Sequence, residues 1–184
     1  PENFMWSQGM MIVIEMARWG GAAMSEVDRV GQRLRDRVGD NEAWGVEWEK
    51  EARRIEAMGD AAAAGKHELT AGSHYLRAAV YYFVGERFVP PGPKKRALYE
   101  SCLRCYSRAM RSRYPNVERV EVPYEGTTLP AWFMKAPVEG RAPTVCFFDG
   151  LDSTKELSLL FGGVELANRG IHTLAIDGPG QGEA

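Results

Sequence analysis

The sequence predicts an α/β fold in two parts: a helical segment over residues 1–114, then an antiparallel hairpin leading into a parallel sheet over residues 115–184. Three observations carry this. Apolar residues recur at helical spacing as far as Met110, the period switches to strict alternation near Pro115, and two short apolar runs follow, separated by a stretch of helix length.

In the first part, Val27, Val30, Leu34 and Val38 after Ser25 predict a helix that stops at Gly39. Glu42 to Ala64 carries Trp44, Trp48, Ile55 and Met58 among charges and ends in an Ala-rich stretch that favours helix. Gly65-Lys66 breaks it. Glu68 to Phe88 follows, with Leu69, Leu76, Ala79, Val80 and Phe83 as its apolar face. Val89-Pro90-Pro91-Gly92-Pro93 ends that helix, because Pro lacks the amide hydrogen and restricts the residue before it. Lys94 to Met110 predicts another helix, with Leu98, Cys102, Cys105, Tyr106 and Met110 aligned.

Beyond Pro115 the residues Val117 to Tyr124 alternate as a half-buried strand should. Glu125-Gly126 is a turn and Leu129 to Met134 is again extended, predicting a hairpin. After a loop over Pro137–Pro143, Thr144–Phe148 predicts a strand buried on both faces. Lys155 to Arg169 predicts one helix, with Leu157, Leu160, Phe161, Val164 and Leu166 apolar and Gly170 at its end. Ile171–Ile176 predicts a second buried strand, and strand, helix, strand at this spacing is a βαβ unit.

Composition narrows the classes. With 45% hydrophobic and 26% charged residues the chain reads as globular. The net charge of −2 divides into about +3 before Pro115 and about −5 after it, too little positive charge in either part for a nucleic-acid partner. No stretch approaches the ~20 apolar residues that span a bilayer, so no membrane partner is expected. The apolar run Met10–Ile14 is short, Glu15 interrupts it, and Pro1-Glu2-Asn3 lacks the positive charge of a secretory leader. Because the sequence opens on Pro1, residues of the natural polypeptide are expected to precede it.

Cys102 and Cys105 form a CxxC that invites a zinc or redox reading. They sit inside a helical pattern with no second CxxC and no neighbouring His, so ordinary helix residues are the preferred reading, with Cys146 in a strand core. Reduced thiols in a cytoplasmic protein follow. His67 and His74 share a helix face and His172 lies in a strand, but no acid or thiol has ligand spacing, so neither metal nor cofactor is expected. Tyr75, Tyr81, Tyr82, Phe83 and Trp44 are read mainly as core, with Tyr82 and Arg87 kept as weak substrate-binding candidates.

Two loops leave the carboxyl ends of the parallel strands, where open α/β sheets place their sites. In Asp149-Gly150-Leu151-Asp152-Ser153-Thr154, Gly150 is expected to use backbone angles closed to other residues and so turn a main-chain N–H toward a ligand. The plain alternative is a turn in which Asp152 or Ser153 caps the next helix. Asp177-Gly178-Pro179-Gly180-Gln181-Gly182-Glu183 has glycines at the wrong spacing for a dinucleotide cradle, with Pro179 inside, and reads as a tight turn.

Taken together, strand-FFDGLDSTKE-helix-strand-IDGPGQGE resembles the α/β-hydrolase superfamily. The preceding segments GKHELTAGSHYLRAAVYYFVGERF, PPGPKKRALYESCLRCYSRAM and VERVEVPYEGTTLPAWFMKAP are similar to the family containing 2,6-dihydroxypseudooxynicotine hydrolase and fungal polyketide-shortening hydrolases. The resemblance covers roughly residues 48–184. It implies an α/β-hydrolase fold with an N-terminal helical cap that selects the substrate. It further implies a serine hydrolase acting on a small carbonyl compound, cleaving a C–C bond next to a ketone, with carboxylesterase chemistry as the alternative. Of the family's site it transfers only the oxyanion loop: the Leu151 N–H, helped by Gly150. No G-x-S-x-G occurs, since Ser73, Ser107, Ser153 and Ser158 all lack flanking glycines. The nucleophile and triad are therefore expected beyond Ala184, in a C-terminal half that would complete the catalytic domain, and a homodimer is left open. The rival reading is a non-catalytic helical peptide-binding module, because the helices around Gly65-Lys66-His67 look a little like a tetratricopeptide hairpin. It finds no second copy of the ~34-residue repeat and leaves the βαβ segment unexplained.

Overall fold

The computed structural model describes residues 3–184. Pro1 and Glu2, read above for their lack of positive charge, lie outside the described residues. The chain divides into two compact units, one ending at Arg113 and the other beginning at Tyr114.

The first unit is helical: α1 (Phe4–Met16), α2 (Met24–Leu34), α3 (Asn41–Ala64), α4 (Glu68–Glu86) and α5 (Pro93–Arg113). Sequence reading missed α1, seeing only its apolar run. The helix is started by the Asn3 side chain, which accepts the Trp6 N–H at 3.0 Å. Asp40 does the same for α3, accepting from Ala43 at 2.9 Å. α4 packs against both α3 and α5. α3 and α4 approach closely where Gly45 and Gly85 face each other's helix, since a Cβ on Gly85 would meet the Trp48 Cβ at 3.0 Å. Trp6, Trp44, Trp48 and Tyr81 form a chain of tilted ring contacts through this core, with centroids 5.0–5.8 Å apart.

Two buried carboxylates tie α2, α3 and α4 together. Glu26 accepts from Tyr81 Oη at 2.6 Å and Arg77 Nε at 3.0 Å. Glu51 accepts from Arg54 at 2.6 Å and Arg33 at 3.1 Å. Burial pushes the Glu51 carboxyl up, but the hydrogen bonds from Arg54 and Arg33 outweigh it and leave the group below its ordinary value. Three apolar residues assigned to buried faces are instead exposed: Val38, Met58 and Leu69. α2 ends at Leu34 and continues as a tighter turn over Arg35–Arg37, so Val38 falls off the helical face. Met58 lies in the last two turns of α3 and Leu69 in the first turn of α4, close to the connection between them.

The second unit holds β1 (Val117–Tyr124), β2 (Thr127–Met134), β3 (Thr144–Phe148), α6 (Lys155–Ser158), α7 (Val164–Ala167) and β4 (His172–Ile176). The hairpin turns on Glu125 and Gly126, both at positive φ (41° and 85°), the twist that joins adjacent antiparallel strands. Strand order is β1-β2-β4-β3, with β3 and β4 parallel as the βαβ reading required. Val120, Val122, Leu129, Ala131, Leu174 and Ile176 pack together on one face.

Two expectations change here. Within this chain β3 pairs only with β4 and its exposure alternates, so its residues are not buried on both faces here, and Cys146 is exposed rather than core. A run of five apolar residues fits an edge or a centre equally, and only the neighbouring strands decide. The helix over Lys155–Arg169 is broken: α6 and α7 are joined by a π turn, Leu159–Gly163, which leaves Phe161 exposed. A Cβ on Gly162 would meet the Phe147 ring at 2.8 Å, so this wide turn brings the backbone down onto the sheet.

Candidate active-site loops

Because β3 and β4 are parallel, with Phe148 opposite Ile176, the loops Asp149–Thr154 and Asp177–Glu183 leave the same end of the sheet. Side chains of the second loop and of the helix that follows the first build one connected network.

Its centre is Lys155, fully buried at the start of α6. The Lys155 Nζ contacts Glu183 Oε2 at 2.6 Å, Asp177 Oδ2 at 2.7 Å and Glu156 Oε1 at 2.9 Å. Asp177 also accepts the Lys155 backbone N–H at 2.8 Å through Oδ1 and the Glu183 N–H at 3.3 Å through Oδ2. One carboxylate thus caps the helix after the first loop and anchors the second. Thr154, rather than Asp152 or Ser153, holds the cap position, and it makes no side-chain bond to the helix. A carboxylate from the neighbouring strand end fills the role.

The network continues across the sheet. Arg119 on β1 reaches Glu183 at 2.7 Å, and the Trp132 indole on β2 donates to Glu156 at 3.1 Å. Burial opposes the charge on Lys155, but Glu156 and Asp177 outweigh it and push the ammonium above its ordinary range. Burial raises the Asp177 carboxyl; Lys155 pulls it down and the negative Glu156 pushes it up again, leaving it above its ordinary value. Glu183 is also pushed up by burial, but hydrogen bonds from Arg119 and Lys155 prevail and hold it low.

The first loop lies beside this network. The Gly150 carbonyl accepts from Gln181 Nε2 at 2.7 Å and from the Ser153 N–H at 3.3 Å. The Leu151 N–H donates to no acceptor among the described residues, and its side chain is fully exposed. Asp149 accepts from the Ser158 hydroxyl through Oδ1, while Oδ2 is buried with no hydrogen-bond partner among the described residues. Burial raises this carboxyl above its ordinary value, and Ser158 and Ser153 only partly offset that.

Gly150 does not use the backbone freedom expected of it. Its φ is not in the left-handed region, and a Cβ built there meets nothing within 4 Å. Neither conformation nor space demands glycine, so the turn is held by what the Gly150 carbonyl accepts. The positive φ values lie in the second loop, at Gly180 (80°) and Gly182 (51°), consistent with its reading as a tight turn.

The weaker candidates are placed elsewhere. Tyr82 is buried in the helical unit with its hydroxyl donating to Glu56 at 2.7 Å, so its polar end is already committed. Arg87 is half-buried just after α4. Tyr75, Tyr81, Phe83 and Trp44 are core. His172 is a strand residue whose Nδ1 accepts the Ala136 N–H at 2.9 Å. Cys102 and Cys105 are buried helix residues outside any disulfide, and burial pushes the Cys105 thiol far up. Among the described residues no group of three or more His, Cys, Asp or Glu is arranged to hold a metal, and no helix is long and apolar enough to cross a membrane. Sequence reading missed the Lys155 network. Its signal was present: one cation, Lys155, beside three acids that the βαβ topology brings to one strand end.

This sheet, with its βαβ connection and the helical unit before it, defines an α/β-hydrolase fold. The chain is 28% identical to the crystal structure of 2,6-dihydroxy-pseudo-oxynicotine hydrolase, with a TM-score of 0.73 over 96% of this chain and 46% of that one. Among curated relatives, an alpha/beta hydrolase of Acremonium sp. is 35% identical over 97% of this chain and 44% of its own length. The 2,6-dihydropseudooxynicotine hydrolase of Paenarthrobacter nicotinovorans is 31% identical over 92% of this chain and 46% of its own length. The chain thus spans less than half of the curated relatives it matches. No protein-family model matches it.

Proposed function

We propose that the whole protein is a serine hydrolase that cleaves a C–C bond next to a ketone, with this chain supplying the oxyanion loop and a substrate-selecting helical cap. The observation that carries the reading is the unpartnered Leu151 N–H at the carboxyl end of β3, in a chain similar to hydrolases over nearly its full length. An amide already bonded into the fold could not receive a new acceptor without breaking a bond. One that is free and held by a fixed loop offers a donor without reorganisation.

In this chemistry a serine hydroxyl, contributed by another part of the protein, adds to the ketone carbon and gives its proton to a histidine. The carbonyl oxygen becomes an oxyanion and accepts the Leu151 N–H together with an amide beside the serine. Collapse breaks the C–C bond, the departing carbon takes the proton from histidine, and water releases the acyl group as a carboxylic acid. Removing one such donor costs ~3–4 kcal/mol of transition-state stabilisation. The same machinery opens esters, so carboxylesterase activity is the alternative. Three cysteines outside disulfides support a cytoplasmic setting.

The test is the full-length protein incubated with aryl ketones and aryl esters, with products identified by mass and ¹⁸O traced from water. Formation of a labelled carboxylic acid and a C–H product from the ketone, blocked by a fluorophosphonate, is expected. Absence of both hydrolysis and fluorophosphonate labelling overturns the reading.

A further inference from the structure

The side chain of Gln181 is unusually well defined by its surroundings. Its residue lies between Gly180 and Gly182, both at positive φ, in a turn closed by the Gln181 N–H on the Gly178 carbonyl at 2.9 Å. From there the amide crosses to the first loop. Nε2 donates to the Gly150 carbonyl at 2.7 Å and lies 3.4 Å from the Asp149 carbonyl, while Oε1 accepts the Gly178 N–H at 3.3 Å. Only one orientation of the amide satisfies this set, because the flipped one would oppose oxygen to oxygen and N–H to N–H.

The Gly150 carbonyl and the Leu151 N–H belong to one peptide unit. No cis peptide occurs among the described residues, so this unit is trans and planar, and its C=O and N–H point in opposite directions. Whatever holds the Gly150 oxygen therefore aims the Leu151 hydrogen. Two donors hold that oxygen: Gln181 at 2.7 Å and the Ser153 amide at 3.3 Å. Gln181 is the shorter contact and comes from the other loop, which Asp177 and Lys155 anchor in turn.

We propose that Gln181 is a positioning residue: by holding the Gly150 carbonyl it aims the Leu151 N–H at the reacting oxygen. The inference rests on the oxyanion reading above and adds the residue that sets the donor's direction. An amide serves both contacts at once. A carboxylate can accept from Gly178 but cannot donate to Gly150, and an ammonium can donate but not accept. Methionine keeps the length and does neither.

The test uses full-length protein with Gln181→Glu and Gln181→Met. Both Gln181 variants are expected to lose kcat by about tenfold to a hundredfold, a part of the effect of deleting an oxyanion donor outright. KM should stay within about twofold. Affinity for a boronic acid, which forms a tetrahedral oxyanion mimic, should fall in parallel with kcat, while affinity for an unreactive ground-state analogue should not. The ¹⁵N-labelled Leu151 amide should shift on boronate binding in the parent protein and shift less in the variants. A shift retained in both variants with unchanged kcat overturns the role of Gln181 and leaves the oxyanion reading standing. No shift in the parent overturns the oxyanion reading, and this inference with it. A loss in KM alone, tracking a lowered thermal midpoint, marks Gln181 as merely structural and also overturns the proposal.

Discussion

Replacing Lys155 by Met removes a cation that touches three carboxylates at 2.6–2.9 Å. Breaking a buried pair from one side costs ~3–5 kcal/mol, because the partner is left charged and away from water. Here the loss is uneven. Glu183 keeps Arg119 at 2.7 Å, whereas Asp177 is fully buried and Glu156 nearly so. Asp177 retains two backbone N–H donors and Glu156 the Trp132 indole, which keeps the loss below the top of the range. We expect ~4 kcal/mol at pH 7, a large share of the total stability of a small unit. With a urea slope of ~1–3 kcal/mol per molar, the midpoint should fall by at least ~1 M. Hydrogen exchange should place the loosening in residues 144–184 and spare the helical unit. The pH dependence adds a second check. Asp177 is already raised by burial, and without Lys155 to pull it down its folded pKa moves up further, so the native state holds more protons than the unfolded one as pH rises from ~4. The deficit should therefore grow with pH toward neutrality and shrink on acidification. A deficit below ~1 kcal/mol at pH 7, or one that ignores pH, would refute the reasoning.

Two further predictions concern the helical unit. Glu51 has a lowered carboxyl pKa, so its contribution is present above the ordinary carboxylate range and is lost as pH falls through the folded value. Glu51→Gln should destabilise the unit by ~1–3 kcal/mol at pH 7 and flatten its acid unfolding, followed by circular dichroism. Gly59→Ala gains ~1 kcal/mol of helix propensity but places a Cβ 2.6 Å from the Tyr75 ring, which is pinned by Asp60 and Arg108. Overpacking of ~1–3 kcal/mol should prevail, lowering the thermal midpoint by several degrees in calorimetry.

How far the sequence reached depends on how local the cause was. Helices α3, α4 and α5, the Glu125-Gly126 hairpin and the βαβ unit were legible, since apolar period, proline and positive-φ turn residues act within a few positions. The two loops were legible as a pair because parallel strands must end on the same side. Other features answered only to distant partners. α1 carries apolar residues on several faces, so its period was weak, and its start depends on one Asn3 contact. β3 has the composition of a strand buried on both faces, but within this chain it pairs only with β4, and burial depends on such partners rather than on composition. Lys155 was read only as the first residue of a helix. Its burial follows from Asp177 and Glu183, about 22 and 28 positions away, meeting it at one strand end. Gly150 drew attention because glycine turns freely, yet its backbone needs no such freedom. The sequence by itself determined the elements and brought the right loops forward. Only the tertiary structure decided what holds them, because a charge or an amide acts on whatever the fold sets within ~3 Å of it, and sequence spacing does not measure that distance.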